Sequence, residues 1–403
     1  MNVERTQVLI IGAGPSGALA AAYLRKQGRE VLVLEREQFP RFSIGESLLP
    51  QTMTYLEEAG LLRDVVEEGF QFKSGAAFVR GEEHSDFDFR QKFGEGWGTT
   101  YQVQRARFDE VLAKAAARQG ADVRFRNTVK AVDVESDQPS ATVEGPDGEV
   151  YRVEADFILD ASGFGRVLPR LLGLESPSGF PVRGAIFTHV EDRFTPGSFD
   201  RTRILVTVHQ QHKDVWFWTI PFSNGHVSLG VVATREWLDA LPGEDGIDKL
   251  KAAVAGEPKM AALLEHAVWD TPSRRLTGYA SNVSSLWGKN FALLGNAGEF
   301  LDPVFSSGVT IAFTSAKLAS DALERRYRGE TVDWERDYAA PLKKGVQTFR
   351  TFVESWYQGG FQDVIFYKQQ QPEVRAMICA ILAGYAWNEK NPFVAEPRRL
   401  AVL

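Results

Sequence analysis

With 403 residues, the chain is longer than one ordinary α/β domain, so we expect two lobes, or one lobe with large insertions, and a sizeable core. A hydrophobic fraction of 44% and a charged fraction of 25% are typical of globular proteins and exclude an extensively disordered chain. The net charge of −7 argues against nucleic acid as a partner, and a single cysteine, Cys379, excludes an intrachain disulfide and a cysteine-clustered metal site; no metal is expected.

The first predicted elements are a strand, a glycine-rich turn and a helix. The branched apolar residues Val8–Ile11 predict a parallel strand buried on both faces, and Ala18–Arg25 has the composition of a helix. Between them, Gly12 permits a tight turn, Gly14 lets the backbone approach a pyrophosphate, and Gly17 lets helix and strand pack closely. Because the helix N-terminus faces the phosphates, this unit predicts a dinucleotide site; a turn that merely connects two elements is the alternative.

The second predicted strand, Glu30–Leu34, supports a dinucleotide ligand. It leads into Glu35, close to the spacing of ~20 residues after the last glycine at which an acid binds a ribose hydroxyl. An acid at this position favours FAD or NAD over NADP.

The next part of the chain mixes loop, helix and strand. Phe39–Pro50 is an irregular loop that carries Arg41 and Glu46, and Phe70–Phe78 is predicted as one strand carrying Lys73. We also predict a helix at Gln51–Ala59, helix or turn at Leu61–Glu67, and an alanine-rich helix that ends at Arg118 within the segment Gln102–Gln119. A meander of strands follows at Val123–Phe125, Val129–Val134 and Ala141–Glu144.

A second small-residue turn, Asp160–Gly163, follows the short buried strand Phe157–Leu159. Its simplest use is to let the backbone pass close to the same cofactor, and a plain strand exit is the alternative. From Val182 to Ala233 the apolar period changes to two, which predicts a mainly antiparallel sheet and therefore a second lobe. Its predicted strands are Gly184–His189, Ile204–His209, Val215–Pro221 and His226–Val232, and helices follow at Ile247–Val254 and Lys259–His266.

The last third returns to the first pattern and then becomes helical. Phe291–Leu294 is again a short apolar strand, and the loop Phe300–Gly308 leads into a helix that begins near Val309, which is a ready anion site. Ser315–Leu403 is predicted to be helical. No apolar run approaches the roughly 20 residues of a membrane helix, and the first strand lies within the first ten residues, so we expect no signal peptide and no membrane span in a cytoplasmic protein.

Four motifs occur in a characteristic order. They are Gly12, Gly14 and Gly17 with Glu35; Arg105-x-x-Phe108-Asp109; Asp160-Ala161-Ser162-Gly163; and Gly295-Asn296-Ala297 with Asp302-Pro303. In this order they resemble FAD-dependent oxidoreductases of the p-hydroxybenzoate hydroxylase type, over about residues 5–315. The resemblance implies an α/β fold with a Rossmann-type FAD-binding domain from residues 1–75, 100–175 and 280–330. It also implies an antiparallel-sheet substrate domain, formed by residues 76–99 and 176–279. The last expected part is a helical C-terminal region at residues 331–403.

This resemblance also implies the cofactor and the residues around it. The cofactor is FAD, and the residues expected to contact it are Gly12, Ala13, Gly14, Pro15, Ser16, Gly17, Glu35, Arg36, Arg41, Ser47, Arg105, Val129, Asp160, Gly163, Gly295, Asn296, Asp302, Gly308 and Val309. Because only one glycine-rich dinucleotide turn is present, we expect no nicotinamide site and a separate flavin reductase that supplies FADH2.

Two further segments narrow the family. Trp216-Phe217-Trp218-Thr219-Ile220-Pro221 matches the W-x-W-x-I-P signature of flavin-dependent halogenases, and Phe72-Lys73-x-Gly75 resembles the segment that bears their catalytic lysine. In that family reduced FAD, oxygen and halide yield hypohalous acid, which moves through a tunnel to a lysine beside the substrate. The resemblance implies that Lys73 is catalytic and that Phe39–Pro50 is a strap between the flavin and substrate sites. It also implies that the backbone N–H groups of Ser307 and Gly308 bind halide and that Trp216, Trp218 and Pro221 lie on the tunnel or substrate side.

The main hypothesis is therefore a halogenase acting on an electron-rich aromatic substrate, free or carrier-bound. Phe305 replaces the Glu of tryptophan halogenases, which favours the phenol, pyrrole or carrier-bound subgroup, and Asn296 stands where related hydroxylases carry Asp. The segment Gly45-Glu46-Ser47 is also similar to the geranylgeranyl reductase group, so a dehydrogenase, reductase or monooxygenase without halogenation is the second hypothesis. A non-catalytic flavoprotein is the third. Taken alone, Lys73 would be a solvated lysine and the two tryptophans an aromatic core stripe.

Overall fold

Strands and helices alternate at the start of the chain, strands dominate its middle, and helices form its end. The computed structural model describes residues 2–402. In chain order, the strands are β1 (Asn2–Ile11), β2 (Val31–Glu35), β3 (Gln71–Lys73), β4 (Gly75–Arg80), β5 (Glu83–Asp88), β6 (Thr100–Gln102), β7 (Asp122–Phe125), β8 (Thr128–Asp133), β9 (Ser140–Glu144), β10 (Val150–Asp160), β11 (Glu175–Ser176), β12 (Arg183–Glu191), β13 (Arg203–Val208), β14 (Trp216–Pro221), β15 (His226–Thr234), β16 (Arg274–Thr277), β17 (Asn282–Val283), β18 (Trp287–Gly288) and β19 (Phe291–Leu293). The helices are α1 (Pro15–Lys26), α2 (Gln51–Glu58), α3 (Leu62–Glu67), α4 (Arg105–Arg118), α5 (Val167–Leu171), α6 (Arg235–Ala240), α7 (Gly246–Ala255), α8 (Pro258–Leu263), α9 (Gly308–Tyr327), α10 (Ala340–Gln358), α11 (Gly360–Phe366), α12 (Pro372–Leu382) and α13 (Pro392–Ala395).

The first sheet is the mainly parallel sheet that the sequence predicts around the glycine turn. Its strand order is β18-β19-β10-β1-β2-β7, and the strands from β19 to β7 are parallel. The apolar run of β1 is fully buried because helices and loops cover both faces of the sheet.

The predicted three-strand meander is wrong in its first strand. β7 pairs in parallel with β2, at the edge of the first sheet, because α4 precedes it as a crossover helix. The antiparallel ribbon consists instead of β8, β9 and the first half of β10. β10 is also longer than the predicted strand Phe157–Leu159, since its alternating first half pairs with β9 and its apolar second half enters the parallel sheet.

The second sheet has seven strands in the order β16-β12-β15-β14-β13-β4-β5. It is antiparallel except for the pair β13 and β4, and the four strands predicted between Val182 and Ala233 are confirmed. One face, with Trp216 and Trp218, belongs to the large core shared with the first sheet, whereas Phe217 belongs to a smaller core under α6, α7 and α8. The alternation of a strand therefore places both tryptophans towards the first sheet.

The segment Phe70–Phe78 is not one strand. β3 pairs with β6 in a separate two-stranded ribbon, while β4 joins the second sheet, and Ser74 lies between them. The Ser74 N–H group donates to the Thr202 carbonyl at 2.9 Å, and a Cβ on Gly75 would lie 2.1 Å from the Phe87 carbonyl oxygen, so the chain changes sheets at this point. The break leaves Lys73 at the end of β3, beside the strap.

The C-terminal helices pack against one another and, through α9, against α1. α9 packs against α1, and α10 buries an apolar face that includes Phe349, Phe352 and Trp356. The predicted helical C-terminal region is thus confirmed as secondary structure, while the division of the chain into independent domains stays a prediction. No helix within residues 2–402 combines the length and the apolar character needed to cross a bilayer.

Candidate functional site

A cavity of about 290 Å³ extends from the glycine turn after β1 to the inner face of the second sheet. Its walls include residues of the glycine turn, the strap, the Arg105 motif, the Asp160–Gly163 turn, the tryptophan strand and the loop before α9. Among the predicted site residues, those that line it are Gly12, Gly14, Pro15, Ser16, Glu35, Arg36, Arg41, Ser47, Arg105, Gly163, Trp216, Trp218, Asn296, Gly308 and Val309. The predicted site residues outside this lining are Ala13, Gly17, Lys73, Val129, Asp160, Pro221, Gly295, Asp302 and Ser307.

The glycine turn leaves no room for side chains at two positions and open space at a third. Gly12 has a φ of +99°, and a Cβ there would lie 2.6 Å from the Ala161 carbonyl oxygen. A Cβ on Gly17 would lie 1.9 Å from the Gly12 carbonyl oxygen. Around Gly14, in contrast, only the Arg41 guanidinium comes within 4 Å, at 3.4 Å. The turn therefore exposes backbone at Gly14 to the cavity, at the N-terminus of α1.

Glu35 is held at this turn by backbone hydrogen bonds. The Ala13 N–H group donates to Glu35 Oε2 at 2.9 Å, and the Glu37 N–H group donates to Oε1 at 2.9 Å. The side chain is buried but lines the cavity, so its remaining lone pairs are available to the hydroxyl groups of a ligand.

The strap is anchored by a buried cluster of two arginines and one carboxylate. Asp109 lies between Arg41, whose Nη1 is 3.0 Å from Oδ2, and Arg105, whose Nε is 2.7 Å from Oδ1. Arg105 also donates through Nη1 to the carbonyl oxygens of Ile44 and Gly45. The Arg105-x-x-Phe108-Asp109 motif therefore fixes the strap against α4.

A second anchor, the pair Glu46 and His189, was missed as a functional feature in the sequence. His189 Nε2 lies 2.7 Å from Glu46 Oε1, and Glu46 is only 3% exposed although it lines the cavity. The two residues are 143 positions apart, and His189 has no local motif around it. The available signals were the unusual acid in an aromatic loop and the Gly45-Glu46-Ser47 segment, and neither pointed to a histidine partner.

Lys73 is the third group that holds the strap. Its side chain is 0% exposed, and Nζ donates to Ser47 Oγ and to the Leu48 carbonyl oxygen, both at 2.7 Å. The Phe89 ring centroid lies 5.3 Å from Nζ. Burial lowers the pKa of Lys73 from its usual 10.5 to about 7. The alternative of a solvated lysine is therefore wrong, and the amino group lies behind the cavity wall that Ser47 forms.

The two signature tryptophans are both core residues and cavity residues. Trp216 Nε1 donates to Tyr357 Oη at 3.0 Å, and Trp218 Nε1 donates to Ser228 Oγ at 3.0 Å. Their ring centroids are 6.0 Å apart. Because each indole N–H has a partner, the rings are fixed in the wall between the two sheets.

The carboxylates of Asp160 and Asp302 shape turns behind the cavity. Asp160 accepts from the N–H groups of Ser162 and Leu168, and burial raises its pKa. Asp302 accepts from the Val304 N–H group at 3.0 Å and from the hydroxyl of Tyr357 at 2.9 Å. Burial raises the pKa of Asp302 to about 6. Tyr357 thus links Asp302 to Trp216 through two hydrogen bonds, which the sequence did not predict.

Comparison with known proteins identifies the family. A family model described as FAD binding domain matches residues 5–330. The flavin-dependent halogenase gsfI of Penicillium aethiopicum is 30% identical, over 86% of this chain and 70% of that protein. The chain belongs to the flavin-dependent halogenase family.

The chain is also similar to a carrier-protein-dependent chlorinase and to a solved flavoprotein structure. The 1H-pyrrole-2-carbonyl-[peptidyl-carrier protein] chlorinase of Pseudomonas fluorescens is 28% identical, over 99% of this chain and 93% of that one. The crystal structure of a flavoprotein/dehydrogenase from Cytophaga hutchinsonii is 43% identical, covers 99% of this chain and 98% of its own, and superimposes with a TM-score of 0.95. The cofactor of the family is FAD, and the open backbone at Gly14, the carboxylate of Glu35 and the cavity between them fit a dinucleotide.

Proposed function

We propose that this chain is a halogenase that uses reduced FAD, oxygen and halide to halogenate an electron-rich aromatic substrate. The observation that carries the proposal is the buried Lys73, whose pKa of about 7 lies in the range useful for chemistry at neutral pH and whose amino group is one side chain away from the FAD cavity. Relatives named as halogenases along most of the chain support it.

When bound in its reduced form, FAD would activate oxygen, and oxygen would supply the oxidising equivalents that convert halide into hypohalous acid. The chain's own residues bind the cofactor, hold the strap in place and separate the substrate from the flavin. In this proposal Gly14 and the start of α1 hold the pyrophosphate, Glu35 binds a ribose hydroxyl, and the Arg105 and Asp109 cluster keeps the strap closed over the cavity. Trp216 and Trp218 keep an aromatic substrate away from the flavin side.

The proposed halide site is the backbone at Ser307 and Gly308, where the chain enters α9. Ser306 adopts a left-handed φ of +55°, which turns the chain before the first N–H groups of this 20-residue helix. Gly308 lines the cavity and Ser307 is buried directly beside it. Unpaired N–H groups at a helix N-terminus favour an anion, and a nearby cavity gives it a way in.

The substrate that we propose is phenol-like or pyrrole-like. Phe305, which stands in place of the acid of tryptophan halogenases, packs against Trp356 and Phe361. The Pseudomonas fluorescens relative is named for a pyrrole-2-carbonyl group on a peptidyl-carrier protein, so a carrier-bound acyl substrate is included beside a free one. A separate flavin reductase and a cytoplasmic location complete the proposal.

The test is halogenation by the FAD-loaded protein with bromide, oxygen, a flavin reductase and a panel of phenols and pyrroles, followed by mass spectrometry. A phenolic trap in the same mixture detects hypohalous acid even when the natural substrate is absent from the panel. We expect Lys73→Ala to keep FAD and oxygen uptake but to lose product, and Lys73→Arg to lose it too, because guanidinium stays protonated. If the wild-type protein consumes oxygen but yields neither halogenated product nor trapped hypohalous acid, the proposal of halogenase activity is wrong.

A dehydrogenase or reductase is the second candidate function. The 43% identity with the Cytophaga hutchinsonii flavoprotein/dehydrogenase favours it, as does the wall between Lys73 and the cavity. The two candidates differ in their need for halide. Anaerobic reduction of the bound FAD by an organic substrate, at a rate that supports turnover and without halide, would favour the second.

A further inference from the structure

Lys73 reaches the cavity only through another side chain. It has no exposed surface, and its Nζ donates to Ser47 Oγ and to the Leu48 carbonyl oxygen. Ser47 is 4% exposed and lines the cavity, whereas Leu48 and Lys73 do not. Within residues 2–402, Ser47 is therefore the side chain that touches both the amino group and the cavity.

The Ser47 hydroxyl still has its own proton to donate. A serine hydroxyl carries one donor and two acceptor lone pairs, and the bond from Lys73 uses one lone pair. Among residues 2–402, no second side-chain or backbone partner lies within hydrogen-bond distance of Ser47 Oγ. The O–H group is thus available to a ligand that enters the cavity.

We propose that Ser47 is the positioning residue through which Lys73 acts on hypohalous acid: Ser47 holds the amino group behind the wall, donates its own O–H to the acid, and yields its place on Nζ as the acid arrives. This inference rests on the proposed function. No covalent bond changes in this step; the oxygen of the acid replaces Ser47 Oγ as an acceptor of Lys73.

The hydrogen-bonded pair of Lys73 and Ser47 has no charged neighbour that shifts the pKa of Lys73. Lys73 faces the strap, β6 and the 3-10 turn Phe89–Gln91, and the shift of its pKa comes from burial without a charged neighbour. On the strap, Arg41 is paired with Asp109 and Glu46 with His189, and Asp88, which precedes the turn, is paired with Arg90. The hydrogen bond to Ser47 is accordingly the polar contact that a substitution can change without disturbing an ion pair.

The first experiment separates product from escaped acid. In Ser47→Ala we expect halogenated product per oxygen consumed by the FAD-loaded protein to fall about tenfold, and trapped hypohalous acid per oxygen consumed to rise by the amount lost. Ser47→Thr keeps the hydroxyl and restores the ratio of product to oxygen. The matched control is Ser320→Ala, which removes a buried hydroxyl from α9, outside the cavity lining, and leaves both ratios unchanged. A wild-type ratio of product to oxygen in Ser47→Ala would overturn the proposal.

The second experiment needs no halogenation. Lysine labelled with 13C is incorporated into the FAD-loaded protein, and Lys73→Arg assigns the Cε resonance of Lys73 by its disappearance. A hydroxyl that accepts from Nζ favours the ammonium form, so Ser47→Ala is expected to move the titration midpoint of Lys73 about half a pH unit or more below that of the wild type, and Ser47→Thr to return it. An unchanged midpoint in Ser47→Ala contradicts the coupling. If wild-type protein makes no hypohalous acid, the proposed function fails while this titration still decides whether Ser47 controls Lys73.

Discussion

Lys73 gives the stability of the protein a pH dependence that one substitution can remove. Its pKa is about 7 when folded and 10.5 when exposed, so between these values the unfolded chain binds more protons. Its contribution to the free energy of unfolding therefore rises with pH from about 7 to 10.5, by up to ~1.4 kcal/mol per pH unit. We expect Lys73→Met, which fills the same space without a charge, to remove this slope in denaturant titrations, whereas the exposed Lys368→Met keeps it. Equal slopes in wild type and Lys73→Met would contradict the burial.

Gly14 permits a clean test of cofactor binding, because its backbone is ordinary. Its φ of −65° suits any residue, and a Cβ meets only the end of the flexible Arg41 side chain at 3.4 Å. Gly14→Val is therefore expected to fold with an unchanged circular dichroism spectrum but to bind no FAD, since its side chain occupies the space of the pyrophosphate. A folded variant that retains full flavin absorbance would disprove the assignment of this turn.

At the scale of elements, the strap depends on side chains from three separate parts of the chain. Arg105 bonds Ile44 and Gly45, His189 bonds Glu46, and Lys73 bonds Ser47 and Leu48. Five consecutive strap residues are thus held by groups from α4, β12 and β3.

Arg105→Lys tests how far this anchoring stabilises the strap. A lysine keeps the charge but cannot bond Asp109 and the strap carbonyls together, so we expect a loss of about 1–3 kcal/mol, faster amide hydrogen exchange over residues 43–48 and weaker FAD retention. Arg107→Lys is the matched control on the same helix, because its partners Glu68 and Glu110 form surface ion pairs worth about 0–1 kcal/mol. Similar exchange rates in the two variants would show that the cluster does not anchor the strap.

The same elements show what the sequence could and could not predict. The glycine turn, Glu35 and the alternating strands of the second sheet were predictable because their signals are local. These signals are an unbroken apolar run, apolar residues at every second position, and glycines at fixed spacing. The break at Ser74 was not, because Gly75 is required by the Phe87 backbone, which only the folded chain brings near. Glu46 and His189 meet across 143 positions, and the burial of Lys73 depends on a strap that no periodic pattern describes.

For the molecule as a whole, the presence of one dinucleotide turn is the reason that we propose a separate source of electrons. Within residues 2–402, the cavity at Gly12 and Gly14 is matched by no second strand, glycine turn and helix of this kind. Stopped-flow mixing of the FAD-loaded protein with NADH or NADPH is therefore expected to leave the flavin oxidised, and addition of a flavin reductase with free FAD to restore oxygen uptake. Direct reduction at the rate of turnover would favour a hydroxylase-like or dehydrogenase-like reaction.

The hydrogen bonds from Trp216 to Tyr357 and from Tyr357 to Asp302 restrict which chimeras of this chain and a homologue keep all their buried polar groups paired. They join β14, the loop before α9 and the C-terminal part of α10, across sequence separations of 141 and 55 residues. A chimera that takes its first 330 residues from this chain and its last helices from a homologue would inherit the indole and the buried carboxylate without their shared tyrosine. Asp302 would keep its hydrogen bond from Tyr279, but Trp216 Nε1 would lose its acceptor unless the homologue also carries a tyrosine at the position of Tyr357.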